Sequence, residues 1–409
     1  MLSQISSRVF VFHVLCLKMP SLFVRLYSAL FKYHHKHFLQ SLNTRASSNP
    51  FGISSRSHES VAPSNPSFVD GVATKDIHID PLSSLSLRIF LPETAVGSLV
   101  VNGGKDDFDL PAYGGYSPPE RGSKPGRRLP VMIQLHGGGF VSGSNVSTAN
   151  DLFCRRMAKL CDVIVVAVGY RLAPETKYPG AFDDGLKVLH WLAKQANLES
   201  CRRVGVKNGI FDSFGASMLE PWLAAHGDPS RCVLLGVSSG ANIANFLAQE
   251  AVEEGKVLNP VKVVAQVLMY PFFLGSTPTR SELKLANSYF YEKAMCILAW
   301  KLFLPEEEFN LDHPAANPLF PRGQPPLKCM PPSLMVVAQH DFMRDRAIAY
   351  SEELRKANVD APLLDYTDTV HEFATLDVLL QTPQARACAE DIAIWIKKYI
   401  SVRGHEFSY

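Results

Sequence analysis

A mostly parallel α/β sheet with helices covering both faces is the fold class that this sequence predicts, and two observations carry it. Continuous apolar, β-branched runs of strand length recur down the chain, at 131–135, 163–168, 232–235, 261–269, 333–338 and 361–366. Amphipathic stretches of helix length stand between or after them, at 150–160, 183–196, 345–357 and 383–400. A strand that is apolar without alternation is buried on both faces, and a parallel sheet between helix layers buries it in that way.

Composition narrows the function classes. The chain has 409 residues, 46% hydrophobic and 20% charged, enough for one large α/β domain or two smaller ones. A net charge of +2 gives no electrostatic case for nucleic acid. The 13 histidines show no metal-ligand spacing with cysteine, so no metal is expected. The eight cysteines form no CxxC pair and lie mostly in apolar segments, which reads as reduced core thiols in a reducing, cytoplasmic compartment. No apolar run reaches the roughly 18–20 residues of a transmembrane span.

Residues 1–58 contain seven basic residues and no acid. From Leu22 onward, Phe23, Leu26, Tyr27, Leu30 and Phe31 fall at helical spacing. This amphipathic helix has three open readings: a cap on the chain's own site, a membrane-surface helix, or an organelle transit segment. Met19 precedes it, and a start there would remove the short apolar run at 9–17. Residues 46–68, rich in Ser, Pro and Asn, read as a linker, so that 1–68 is expected to be cap plus linker and 69–409 the main domain. Alternation at 74–80 and 85–91 predicts an antiparallel hairpin at a sheet edge. Residues 97–128, rich in Gly, Pro and charge, read as a flexible surface insertion, and 274–332 as irregular and aromatic over the strand ends.

The chemistry centres on Gly236-Val237-Ser238-Ser239-Gly240, which lies between an apolar strand and a helical run. A strand-to-helix turn this tight needs its glycines and pushes the serine hydroxyl out above the sheet. A serine hydroxyl needs a base to take its proton, a carboxylate to orient the base, and N–H donors for the oxyanion. The strand ending at Leu135 runs into His136-Gly137-Gly138-Gly139-Phe140. Gly138 and Gly139, with Ser239 just after the nucleophile, are the expected oxyanion donors; His136, Gly137, Gly236 and Gly240 support the two turns. The acid and base should follow later strands. Asp341 is the expected carboxylate, with Asp345 as runner-up, and His371 the expected base, with His340 as competitor. Arg171 and Glu175 read as a supporting ion pair, and Asp183 and Asp184 as a helix N-terminus.

With these motifs in chain order, the sequence resembles the hormone-sensitive-lipase-like esterases of the α/β-hydrolase fold. Within them it resembles the plant carboxylesterases related to gibberellin receptors. The resemblance rests on His136-Gly137-Gly138-Gly139-Phe140, the Tyr170 to Glu175 motif, the serine elbow, Asp341 with Arg344-Asp345, and His371-Glu372-Phe373, and covers about residues 130–375. It implies a carboxylic ester hydrolase with a helical N-terminal cap; the triad mechanism needs no cofactor, and the aromatic residues around 289–303 with the N-terminal helix suggest an apolar pocket for small esters. The elbow departs from the family at Val237, usually Asp, and at Ala241, usually Gly. A hormone receptor on the same scaffold, a lyase or dehydratase, and an amidase are the other readings. Because the receptors lack the histidine, His371 discriminates against the first of these.

Overall fold

Pleating sorts the strand side chains into two apolar layers. Along β3 (Leu129–Leu135), Val131, Ile133 and Leu135 join one buried cluster and Met132 the other. Along β4 (Ile164–Gly169), Ile164, Val166 and Val168 join the first cluster and Val165 and Ala167 the second. The computed structural model describes residues 20–48, 59–80, 83, 85–96, 115–118, 127–204, 219–320 and 325–401. The other strands are β1 (Val72–Asp80), β2 (Leu85–Pro92), β5 (Gly227–Val237), β6 (Val263–Met269), β7 (Ser333–Ala338) and β8 (Leu363–Tyr366). The helices are α1 (Leu22–Ser48), α2 (Thr148–Cys161), α3 (Gly180–Val204), α4 (Pro221–His226), α5 (Ser239–Glu253), α6 (Arg280–Lys284), α7 (Lys293–Phe303), α8 (Arg344–Lys356) and α9 (Pro383–Ile400).

The eight strands form one sheet in the order β1-β2-β4-β3-β5-β6-β7-β8. The first two pairings, β1 with β2 and β2 with β4, are antiparallel, and the remaining five are parallel. The edge hairpin and the parallel body are therefore as the sequence predicts. Side chains from α3, α5, α7 and α8 cover one face, through Phe182, Leu247, Trp300 and Tyr350 among others. On the other face lie α2 and α9, through Phe153, Met157, Ile392 and Ile396.

Register decides where the site forms. Leu135 pairs with Gly236, Val237 with Met269, Met269 with Val336, and Ala338 with Tyr366. The C-terminal ends of β3, β5, β6, β7 and β8 thus come level, and the loops that leave them share one rim. That rim is where ligands bind in open α/β sheets.

Three expectations need correction. Residues 274–332 hold a regular helix, α7, whose Met295, Ala299, Trp300 and Phe303 follow ordinary helical spacing and are buried. Residues 59–68 are no free linker: Ala62 N–H donates to Val146 O (3.0 Å), and Thr74 N–H donates to Asn65 O (2.7 Å). Within the expected flexible insertion, Tyr116 is docked. Its N–H donates to Pro66 O (2.8 Å), its hydroxyl lies 2.7 Å from His226 Nε2, and its carbonyl accepts from Trp222 Nε1 (3.2 Å). Residues 97–114 and 119–126 of that insertion, and the run at 9–17, lie outside the described residues.

The tightest backbone approach is at the end of β5. A Cβ on Gly236 would collide with the carbonyl oxygen of Gly240 and the backbone of Ala241, none of which can swing away. Overpacking there exceeds the roughly 0.5–1 kcal/mol that alanine otherwise gains over glycine in a strand. Gly236→Ala should lose about 1–2 kcal/mol of stability, read as a lower midpoint in urea denaturation.

Candidate active site

Only Ser238 stands between the end of β5 and the start of α5, so one residue must turn strand into helix. It does so at φ 51° and ψ −117°, in the region where a side chain is strained by of order 1–3 kcal/mol. The surroundings over-determine that conformation. Ser238 N–H donates to Met269 O (2.9 Å), and Ser238 O accepts from Ala241 N (2.9 Å) and Phe272 N (3.2 Å). Ser238 occupies the N-cap position of α5, where a serine side chain normally accepts from the helix amides, yet it makes no such bond. Its hydroxyl points elsewhere.

The elsewhere is His371. Ser238 Oγ lies 2.9 Å from His371 Nε2, and His371 Nδ1 lies 2.7 Å from Asp341 Oδ2. All three residues are buried. Asp341 leaves β7 and is steadied by Met343 N–H, which donates to Oδ1 (2.9 Å). His371 follows β8 in the next loop. Burial works against a charged His371 ring. The charge and hydrogen bond of Asp341, aided by Glu372, outweigh it and raise the histidine above its ordinary 6.5.

The glycine loop after β3 carries left-handed torsions at Gly138 (φ 111°), Gly139 (φ 62°) and Phe140 (φ 66°). Its carbonyl at Gly138 turns back to accept from Val141 N (3.1 Å) and Ser142 N (3.0 Å). Among the described residues no hydrogen bond uses the amide N–H of Gly138 or Gly139. Ser239 N–H begins α5 and has no intrahelical acceptor. His136 braces the loop. Its ring stacks on Tyr170 with centroids 4.2 Å apart, its Nδ1 reaches Gly137 O (2.8 Å), and its carbonyl accepts from the Tyr170 hydroxyl (2.8 Å). Burial lowers it to about 4, so the ring is neutral at neutral pH. A Cβ on Gly240 would strike the carbonyl oxygens of Leu135 and His136, which packs the two turns against each other.

Residues that sequence reasoning did not single out complete the rim. Glu372 sits in a left-handed conformation (φ 59°) and accepts from the Tyr291 hydroxyl (2.8 Å). Burial raises its carboxyl above the usual range. Tyr291 also meets the His371 ring edge-on at 5.0 Å and the His35 ring of α1 at 5.6 Å. Burial lowers His35 to about 4. Glu59 Oε1 accepts from Gly143 N (3.1 Å). Tyr291 lay inside the aromatic stretch seen in the sequence; Glu59, in a Ser-rich segment without periodicity, gave no signal at all. The departure at Val237 has a counterpart here, because Val237 Cγ1 and the Glu372 carboxyl both border the space a Cβ on Gly137 would fill.

The competing assignments fall away from this centre. Asp345 accepts from Ser281 N (2.9 Å) and pairs with Arg344, while His340 lines a separate groove beside α1. The expected partner of Arg171 is corrected: its guanidinium grips the buried Asp184 (2.8 Å). Among the described residues no three His, Cys, Asp or Glu side chains form a metal-binding group.

Two spaces lie at this centre, the smaller of them lined by Ser238 itself. One, of about 10 Å³, is enclosed by Ser238, His371, Phe272, Met295, Cys296 and Ala299. It has room for about one water-sized group. The other is an open cleft of about 550 Å³ that runs past Gly137, Gly138, Glu59 and Glu372 to Phe31 and Phe38 of α1.

A family model described as having the α/β-hydrolase fold matches residues 132–375, and a carboxylesterase-family model matches residues 85–174. Among curated proteins, "Probable carboxylesterase 16" of Arabidopsis thaliana is 59% identical over 96% of this chain and 100% of its own length. "Probable carboxylesterase 11" of the same plant is 58% identical over the same shares. A gibberellin receptor of Arabidopsis thaliana is 34% identical over 74% of this chain and 72% of its own. Among solved structures, an esterase from Pseudomonas putida superposes with a TM-score of 0.63 at 19% identity, over 94% of this chain and 99% of that one. At that identity the likeness speaks for the fold alone.

Asp341→Asn should lower the His371 pKa, because the charge that opposes burial is gone. An imidazole NMR titration reads it: wild type titrates above the ordinary histidine value and the variant below wild type. An unchanged titration would contradict the coupling.

Proposed function

The chain belongs to the α/β-hydrolase family, and from that premise we propose that it is a serine carboxylesterase cleaving carboxylic esters of small, apolar substrates through an acyl-enzyme. The observation that supports it most is the continuous hydrogen-bonded chain from Ser238 Oγ through His371 to Asp341, at 2.9 and 2.7 Å. Ser238 attacks the ester carbonyl while His371 Nε2 takes its proton. Asp341 holds Nδ1–H and stabilises the imidazolium. The carbonyl oxygen becomes an oxyanion at the amides of Gly138, Gly139 and Ser239, where fixed dipoles need no reorganisation. His371 then protonates the leaving alcohol. Water, deprotonated by the same histidine, releases the acid and restores Ser238. No step needs a metal or cofactor.

The apolar walls of the small space, Phe272, Met295 and Ala299, support a small acyl group. His371, within hydrogen-bonding distance of Ser238, speaks against the receptor reading. Nothing in the site favours a lyase or an amidase over the esterase. We also assign the protein to a reducing, cytoplasmic compartment; the seven described cysteines are free thiols, five of them buried.

Purified protein should hydrolyse p-nitrophenyl acetate, and Ser238→Ala should lose about 10⁴-fold or more in kcat. A folded wild type with no turnover would overturn the esterase. The pH profile adds a second check. Only neutral His371 can accept the proton, so kcat/KM should fall as pH drops through a value above 6.5, the ordinary histidine pKa. An acid limb below that value would contradict His371 as the base.

A further inference from the structure

One face of α1 is largely exposed among the described residues. Its opposite face is spent on packing. Phe31 meets Phe290 and Tyr291 at 5.4 and 5.2 Å, Ser28 Oγ accepts from Phe290 N (2.6 Å), and Leu39 and Leu42 enter the core. The outer face nonetheless carries Leu22, Leu26, Leu30 and Tyr33, at successive four- and three-residue steps, each 55–69% exposed. An exposed stripe of this kind marks an interaction surface, since a helix that is apolar on every side is ordinarily buried. Leu283 of α6, 69% exposed, faces the same groove as Leu22 and Leu26.

The charge around this groove is mostly basic. Arg25, Lys32 and Lys36 fall along one edge of the stripe. Arg280 and Lys284 of α6 stand across a groove of about 1210 Å³ that Arg25 and Lys32 also line. The acids at this groove are engaged. Asp345 is held by Ser281 N–H and Arg344, and Glu292 lies 3.9 Å from Lys32, whose Nζ also donates to Asn287 O (2.9 Å).

We propose that this face of α1, with the basic groove beside it, docks the protein on an anionic lipid bilayer. Leu22, Leu26, Leu30 and Tyr33 would enter the boundary between headgroups and acyl chains. The cations along the edge and across the groove would meet lipid phosphates and carboxylates. A second copy of the chain fits this face poorly, because the same cations would confront one another while the acids described at the groove, Asp345 and Glu292, are already engaged. The helix lies on the bilayer and does not cross it, for no helix among the described residues is long and apolar enough to span. Since the buried side of α1 touches Tyr291, and Tyr291 touches His371, docking sets the cleft beside the lipid surface.

The test is co-sedimentation of the full chain with phosphatidylcholine vesicles, with and without phosphatidylserine, at low and high salt. Binding should require phosphatidylserine and fall at high salt. Leu26→Asp with Leu30→Asp, and separately Arg25→Glu with Lys36→Glu, should each weaken it about tenfold or more. These exposed positions leave the soluble-ester activity unchanged, which checks that the variants fold. Failure of wild type to bind, or binding indifferent to phosphatidylserine, would overturn the proposal. Equal binding by the Leu26/Leu30 variant would do the same. So would light scattering that shows a dimer, dissolved by that variant, in protein that binds no vesicle.

Discussion

The strained backbone at Ser238 is the constraint on which the rest depends. A residue at φ 51° and ψ −117° between a strand and a helix cannot cap that helix, and so its hydroxyl is left for His371. The strain persists because the neighbours leave no alternative. Gly236 and Gly240 let the strand, the turn and the helix approach until their backbones touch, and Met269, Ala241 and Phe272 fix the serine's own amide and carbonyl. The packed core on both faces of the sheet supplies the stability that holds one uncomfortable residue in place.

From that point the geometry is a matter of level strand ends. Asp341 comes from the loop after β7, His371 from the loop after β8, Gly138 and Gly139 from the loop after β3, and Ser239 from the start of α5 after β5. Each side chain hangs from a different strand, and the parallel register makes them converge. Electrostatics then sets the protonation of His371: burial alone would depress it, and Asp341 reverses the sign. Glu372 and Tyr291 extend this centre outward until it meets Phe31 and His35 of α1, so α1 is physically continuous with His371.

The sheet, the edge hairpin and the convergence of Ser238, Asp341 and His371 were legible in the sequence for a common reason. Buried parallel strands and tight glycine turns are local constraints, and they leave local marks. The remainder depends on contacts far apart in the chain. Glu59 reaches Gly143 across 84 positions, and Arg171 selects Asp184 over the nearer Glu175 because α3 carries Asp184 into the core beside it. Helix α7 was written plainly in the spacing of Met295, Ala299 and Phe303, but the aromatic residues and prolines around it read as irregular chain. Tyr116 docks from a glycine-rich insertion through a ring, a carbonyl and a hydroxyl, none of which composition reports.

The most direct test of the account is the site of a covalent adduct. Protein treated with a fluorophosphonate should gain one adduct by intact mass, and peptide mapping should place it on Ser238. Asp341→Asn should slow the labelling while leaving the site the same. An adduct on another residue, or none on a folded protein, would contradict the claim that the elbow delivers an activated Ser238 to His371.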